Sequence, residues 1–365
     1  MDICQVTESN SDSTRALASI QRVEAIENHN KADSLELVTI LGWQIITRKG
    51  EVKTGSKVIY CEIDSMLPVE ATWLPVAVKD RIVKEQTKNF YRIKTIKLRG
   101  ELSQGLIVPI VDTLPKDDSI ENWEELEVGY NVTSLLKIEK YEPQVLTGDY
   151  CLYATARSTD NFPISLVNKT DEPRVQSNPK LFKALEGKSY YMTIKLDGTS
   201  VTYLMDPETG ELMVCSRNMI RKRPENLKVC PYWYIANKYD IEKKLKKVPH
   251  VAIQGEICGP NIQHNLLGLK DLELFVFNVI DTRDRSKLSF YEMITICDEV
   301  LSVPRVPIEE VGDEFRCENI KVLLRKAVGT YNGTKNPREG LVVRNIDQTI
   351  SFKAINDEYL LKYGY

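Results

Sequence analysis

Tyr190-Tyr191-Met192-Thr193-Ile194-Lys195-Leu196-Asp197-Gly198-Thr199-Ser200 sets a single lysine inside an apolar, strand-like run and follows it with aspartate and glycine. Alternation of period two turns Thr193, Lys195 and Asp197 to one face and Met192, Ile194 and Leu196 to the other. An amine held against an apolar layer can be made a nucleophile, and a neighbouring carboxylate can manage a metal or orient the attack. At an ordinary pKa of ~10.4 about one lysine in ~2,500 is neutral at pH ~7, and neutralising half takes about 4.6 kcal/mol. Burial and a nearby cation work toward that state, whereas Asp197 favours the ammonium. A metal cation reverses the balance. A strand-edge lysine beside an Asp-Gly turn is the plain alternative, and one short match does not choose between the two.

Further stretches do choose. Arg217, in Cys215-Ser216-Arg217-Asn218, follows a strand candidate and can clamp phosphate with its planar fork. Glu256, in Gln254-Gly255-Glu256-Ile257-Cys258-Gly259-Pro260, is a carboxylate between apolar residues and needs a partner such as a sugar hydroxyl or a hydrated metal. Phe275 and Phe277 share a strand face, where a ring can stack on a base. Glu339 enters the apolar strand Gly340-Leu341-Val342-Val343, and Lys353 stands alone in Ile350-Ser351-Phe352-Lys353-Ala354. Cations for phosphate, carboxylates for Mg²⁺, Mn²⁺ or ribose, and an aromatic for a base suit a nucleoside triphosphate attacked at its α-phosphate. No P-loop, Rossmann or protein-kinase signature is present.

The chain has 365 residues, enough for two domains, with 42% apolar and 28% charged residues and a net charge of -3. No apolar run is long enough to span a membrane, and no secretory signal opens the chain, so an intracellular protein is expected. The 8 cysteines form no CxxC pair and read as free thiols, and 3 histidines leave little material for a zinc site or a histidine triad.

Residues 1–15 read as a flexible tail. Residues 16–138 carry short strand candidates punctuated by glycine, among them Leu35–Ile40, Gln44–Thr47, Lys57–Cys61, Phe90–Lys94 and Ser103–Pro109, which suggests a small barrel. Within it, 79–99 holds eight Lys/Arg against two Asp/Glu. Lys84, Lys88, Arg92, Lys94, Lys97 and Arg99 can form a ridge for a nucleic-acid backbone; a solvated hairpin is the alternative. A linker is expected at 139–149 and a second, mixed domain at 150–365. That domain has helix candidates at 178–185 and 232–247.

These stretches resemble a known superfamily. Val23–Leu37, with Gly55-Ser56-Lys57-Val58 and Met66-Leu67-Pro68, resembles OB domains attached to tRNA synthetases and to one class of RNA ligases. Lys195-Leu196-Asp197-Gly198 resembles nucleotidyltransferase motif I of the covalent superfamily of DNA ligases, RNA ligases and mRNA capping enzymes. Arg217, Glu256, Phe277, Glu339 and Lys353 resemble motifs Ia, III, IIIa, IV and V in order. Ser216-Arg217-Asn218, the run Gly255–Gln263 and Ser351–Asn356 are most similar to the nick-sealing phage-type RNA ligases, in the Naegleria-type branch with an N-terminal OB domain.

The resemblance implies an α+β chain, with an N-terminal OB-type β-barrel followed by an adenylyltransferase domain, ATP-grasp-like, of antiparallel sheets with flanking helices. It implies ATP and Mg²⁺ or Mn²⁺ as cofactors and RNA ends, in nicked duplexes, as partners of a monomeric enzyme. Lys195 would carry AMP, Glu256 contact ribose and Phe277 stack on adenine. Asp197, Glu256 and Glu339 would hold metal through water. Lys353 and Arg217 would grip phosphate or the RNA end, and Lys353 would lower the pKa of Lys195. Arg174 and Gln176 would approach the nucleotide. Arg217, Arg221, Lys222 and Arg223, in a stretch with ten Lys/Arg against three Asp/Glu over 217–247, would grip RNA, as would the ridge. Ser351 departs from a Lys-x-Lys form of motif V and removes its first cation. The chain stops soon after Lys353, which argues against DNA ligases and capping enzymes with a trailing OB domain. A DNA ligase or guanylyltransferase is the alternative within the class; an RNA- or tRNA-binding OB protein with a degenerate transferase is the alternative outside it.

Overall fold

The computed structural model describes residues 15–74, 83–84, 90–110, 114–115, 122–142 and 158–364. The chain divides between Glu142 and Pro143 into two compact units. Among the described residues six cysteines are free and five of them are buried. No helix among these residues is long and apolar enough to cross a membrane.

The first unit is built of antiparallel strands. Lys57–Cys61 lies between Ala18–Arg22 and Leu106–Pro109, and Leu35–Ile40 lies between Ala25–Asn28 and Trp43–Arg48. Apolar residues at alternate positions, such as Trp43 and Ile45, face the core. The expected run Ser103–Pro109 is two strands, Glu101–Gln104 and Leu106–Pro109, broken at Gly105. Glu139–Lys140 pairs with Ser65–Pro68, so the start of the expected linker belongs to a sheet; 143–149, and 1–14 of the expected tail, lie outside the described residues.

The basic ridge needs correction. Lys88 and the side chain of Lys84 lie outside the described residues, and Lys94 is half-buried. Arg92 is buried. It bonds Asp64 Oδ1 at 2.9 Å, and its guanidinium carbon lies 3.5 Å from the Tyr141 ring centroid. A guanidinium enclosed by a carboxylate and an aromatic face holds the fold together and presents no charge to a backbone.

Two antiparallel sheets carry the second unit. The larger has seven strands among the described residues, with Leu212–Ser216, Thr199–Met205, Val251–Cys258 and Glu273–Asp281 adjacent in that order. The smaller runs Ile308–Gly312, Tyr190–Lys195, Gly340–Asn345, Ser351–Ile355. The lysine strand serves two cores: Tyr191 packs with Tyr203, Ile253 and Val276, and Met192 with Phe182, Leu323 and Phe352. Helices flank the sheets. Pro179–Leu185 forms where expected, but the basic stretch 232–247 is two helices, Pro231–Lys238 and Ile241–Leu245. Asp240, at φ 51°, takes a left-handed turn that ends the first.

A buried cation joins the sheets. Arg344 donates to the Phe277 carbonyl at 2.9 Å, Ser351 Oγ at 3.0 Å and Glu172 Oε1 at 2.8 Å, and Lys287 lies 3.7 Å from the same oxygen. Burial pushes the Glu172 carboxyl up, but Arg344, Lys287 and the Ser351 hydroxyl outweigh it and hold the pKa at about 2. Folding therefore favours the ionised form. Its stabilisation is complete above the unfolded-state pKa of ~4.3 and is lost as pH falls toward the folded value. Glu172→Gln should destabilise the protein by about 3 kcal/mol near pH ~7. Chemical denaturation near pH ~3 should show less than half of that difference.

Candidate active site

Lys195 ends its strand and stands opposite Gly340, the first residue of the neighbouring strand. Gly340 has φ 153°, and a Cβ there would lie 2.2 Å from the Ala354 carbonyl oxygen. Only glycine lets the last strand come that close. The preceding residue, Glu339, is thereby set beside the lysine: Lys195 Nζ donates to Glu339 Oε2 at 2.8 Å. Beyond Lys195 the chain leaves the strand, so Asp197 sits in a turn rather than on the expected strand face. A Cβ on Gly198 would meet the Ile257 carbonyl oxygen at 2.4 Å and Glu256 Cγ at 2.8 Å. This glycine lets the turn lie against the Glu256 strand of the larger sheet.

Two tyrosines hold this turn. The buried Tyr331 hydroxyl donates to the Lys195 carbonyl at 3.0 Å and accepts from the backbone N–H of Asp197 at 3.0 Å and of Glu339 at 3.1 Å. Its donor and both acceptor positions are used. Tyr359, on the last helix, Asp357–Tyr363, donates to Asp197 Oδ1 at 3.0 Å. Sequence reasoning missed both tyrosines. They lie 134 and 162 residues from Asp197, and neither stands in a run that marks it out.

The charges are unbalanced. Burial pushes the Glu256 carboxyl up to about 8 against the pull of Lys195. Burial, then Glu339, pushes Asp197 up to about 7. For Lys195 burial works downward, but Glu339, Glu256 and Asp197 outweigh it and hold the amine above its ordinary range. The Lys353 ammonium lies 3.4 Å from Asp171 Oδ1. Asp197 Oδ2 is buried and has no hydrogen-bond partner. One lysine among three carboxylates, with an open buried oxygen, fits a divalent cation. Among the described residues no three His, Cys, Asp or Glu side chains are grouped to ligate a metal directly.

The other expected residues gather nearby or flank this centre. Arg217 lies 3.3 Å from Asp171 Oδ2, so Arg217 and Lys353 converge on one carboxylate. Arg174 is set beside Lys353 by a parallel bridge: Val175 N–H donates to the Lys353 carbonyl at 2.9 Å, and Lys353 N–H to that of Pro173 at 2.8 Å. Gln176 is fully buried with neither amide atom hydrogen-bonded, a state that a ligand would relieve. Phe277 is half-buried at a β-bulge, where Gln254 faces Asn278 and Gly255 faces Val276. Arg221 bonds Ser216 Oγ at 3.0 Å, Arg223 lies 3.5 Å from Glu242, and Lys222 is exposed.

Comparison with known proteins defines the class. An OB-fold domain model matches residues 17–110 and an RNA ligase model matches 188–363. No curated protein matches. Among solved structures, the chain is similar to a glutamate-to-alanine variant of Naegleria gruberi RNA ligase with AMP and Mn, at 30% identity and TM-score 0.83, covering 95% of this chain and 98% of that one. It is similar to the same enzyme with PPi at 30% identity and TM-score 0.83, over 95% and 98% of the two chains. A lysine-to-alanine variant of that enzyme with ATP and Mn matches at 30% identity and TM-score 0.82, over 94% and 98%. The fold is that of a polynucleotide ligase. The chain belongs to the RNA ligase family.

Tyr331→Phe leaves the Asp197 and Glu339 N–H groups and the Lys195 carbonyl without their shared partner. It should destabilise the protein by about 2–4 kcal/mol. The reactivity of Lys195 should fall further than the folded fraction does, measured as covalent labelling per folded molecule.

Proposed function

We propose that the protein seals breaks in RNA, at nicks in duplexes, using ATP. Lys195 Nζ attacks the α-phosphorus of ATP. The bond to the β-phosphate oxygen breaks and pyrophosphate leaves, with AMP joined to the lysine. AMP then passes to an RNA 5'-phosphate as the N–P bond breaks. The adjacent 3'-OH attacks that phosphate, forming the phosphodiester and releasing AMP.

The observation that carries this reading is Lys195 Nζ at 2.8 Å from Glu339, in a turn shared with Asp197 and set against Glu256. Glu339 is placed to receive the proton that Lys195 must lose. Asp197, Glu339 and Glu256 would hold a divalent cation, Mn²⁺ or Mg²⁺, through water, and its charge would favour the neutral amine and stabilise the phosphate. Glu256 faces the ribose, Phe277 stacks on adenine, Gln176 and Arg174 line the nucleotide, and Arg217 and Lys353 hold phosphate oxygens. Variants studied in the N. gruberi enzyme support four members of this set. Its substituted lysine and aspartate stand at the same separation as Lys195 and Asp197, and a substituted glutamate and second lysine at the same separation as Glu339 and Lys353. The first unit is read as a closed OB barrel and the second as an adenylylation domain. It would grip RNA with Lys84, Lys88 and Lys94, while Arg221, Lys222 and Arg223 serve the second unit. The enzyme is read as an intracellular monomer.

Incubation with α-labelled ATP and Mn²⁺ or Mg²⁺ should label the wild type. Lys195→Ala should bring labelling to background, and GTP should not substitute. A wild type that takes no label with either metal would sink the reading.

A further inference from the structure

The run Gly259-Pro260-Asn261-Ile262-Gln263-His264-Asn265 has no part in the scheme above, and the last helix enters it only through Tyr359. The fold brings the two segments together beside the reactive turn. The rings of His264 and Tyr363 lie 5.1 Å apart between centroids, tilted by 43°. Tyr363 lies 5.7 Å from Tyr359, whose hydroxyl reaches Asp197. On the other side, Gln263 Nε2 donates to the Gly198 carbonyl at 3.5 Å. A circuit therefore runs from Asp197 through Tyr359, Tyr363, His264 and Gln263 back to Gly198.

The loop is held in a costly shape. Asn261, Gln263 and Asn265 have φ of 61°, 47° and 46°, a region that glutamine adopts only when its surroundings impose it. Those surroundings are visible. Ile262 and Leu266 are buried anchors. The Asn265 side chain bonds both the N–H and the carbonyl of Leu269, at 3.1 and 2.9 Å, and Asn336 Nδ2 donates to the Leu266 carbonyl at 2.9 Å. His264, between the anchors, is exposed, and the exposed Lys362 places its ammonium 4.9 Å from the Tyr363 ring centroid. A core role does not account for an exposed imidazole laid on a tyrosine and flanked by an ammonium. Base stacking does, because every nucleobase offers a π-face and the adjoining phosphate attracts the cation. The adenine of ATP is assigned to Phe277, which leaves these rings for a second nucleotide.

We propose that His264 and Tyr363, with Lys362 beside them, stack on the base of an RNA nucleotide at the break and seat that RNA end against the Asp197-Gly198 turn. The proposal rests on the RNA ligase reading. The ligand is a nucleobase at an RNA terminus, from the 5'-phosphate side or the 3'-OH side of the nick.

The full-length variants His264→Ala, Tyr363→Ala and Tyr363→Phe test it, with two reactions measured separately. Formation of lysyl-AMP without RNA should stay within about twofold of wild type for all three. Single-turnover joining of a chemically adenylylated nicked RNA duplex should slow by about 5- to 150-fold in the alanine variants, the range that loss of one stacked base gives. Tyr363→Phe should restore joining. An abasic nucleotide on the stacked side should abolish the difference between wild type and His264→Ala, and one on the other side should leave it, which identifies the source of the base. Equal loss of lysyl-AMP formation and joining would show a packing role only and overturn the proposal. So would unchanged joining, or a difference that survives both abasic substrates. If the wild type forms no lysyl-AMP, the ligase reading itself fails, and this proposal with it.

Discussion

One hydroxyl oxygen fixes the geometry on which the site depends. Where the lysine strand ends, its ladder partners end too, and the carbonyl of Lys195 and the N–H of Asp197 need others. The N–H of Glu339, at the entry to the facing strand, has the same need. Tyr331 meets all three with one O–H and two lone pairs. Because those groups belong to the residues whose side chains form the reactive cluster, satisfying the backbone also sets the lysine, the aspartate and the glutamate relative to one another. Glycines at 198 and 340 remove the side chains that would keep the segments apart. Chemistry and hydrogen-bond satisfaction are solved here by the same few atoms.

The cluster so formed favours the charged amine. Three carboxylates hold the amine in its charged form, against its burial. Positive charge brought near these carboxylates would shift the amine toward its neutral form. Two basic residues of the expected set, Arg217 and Lys353, converge on Asp171 at 3.3 and 3.4 Å. A carboxylate bridging those two cations marks a place suited to an anion. A substrate that brings both a cation and phosphate would answer the carboxylates around the amine and the cations around Asp171.

Much of this was legible in the sequence, for an identifiable reason. Lys195, Asp197, Glu256, Glu339 and Lys353 are charged residues inside apolar, strand-forming runs, and such runs ordinarily exclude charge. Strand alternation likewise located Leu35–Ile40 and Lys57–Cys61. What could not be read depends on partners distant in sequence. A tyrosine is unremarkable in an apolar stretch, so Tyr331 and Tyr359 gave no sign of their bonds. Arg92 was counted with the ridge because charge density along the chain does not register burial, and Asp64 and Tyr141 enclose it only after folding. The break in the basic helix at Asp240 comes from a left-handed residue, which composition does not announce.

Ser351 shows how a departure from pattern can be answered within the structure. Read alone, the serine removes a cation from the last motif. In the fold it stands opposite Arg344 on the adjoining strand and accepts a hydrogen bond from that guanidinium. Arg344 and Lys287 already face a single carboxylate, Glu172. A lysine at 351 would place a third positive charge beside these two, with one negative charge between them. The like-charge repulsion would act in a buried setting, where it is weakly screened. A hydroxyl instead accepts from the arginine and adds to the bonds that hold Glu172 ionised. The serine is therefore a member of the network that ties the smaller sheet to the Phe277 strand. Lys353 and Arg217 stand apart from that network and face Asp171 instead.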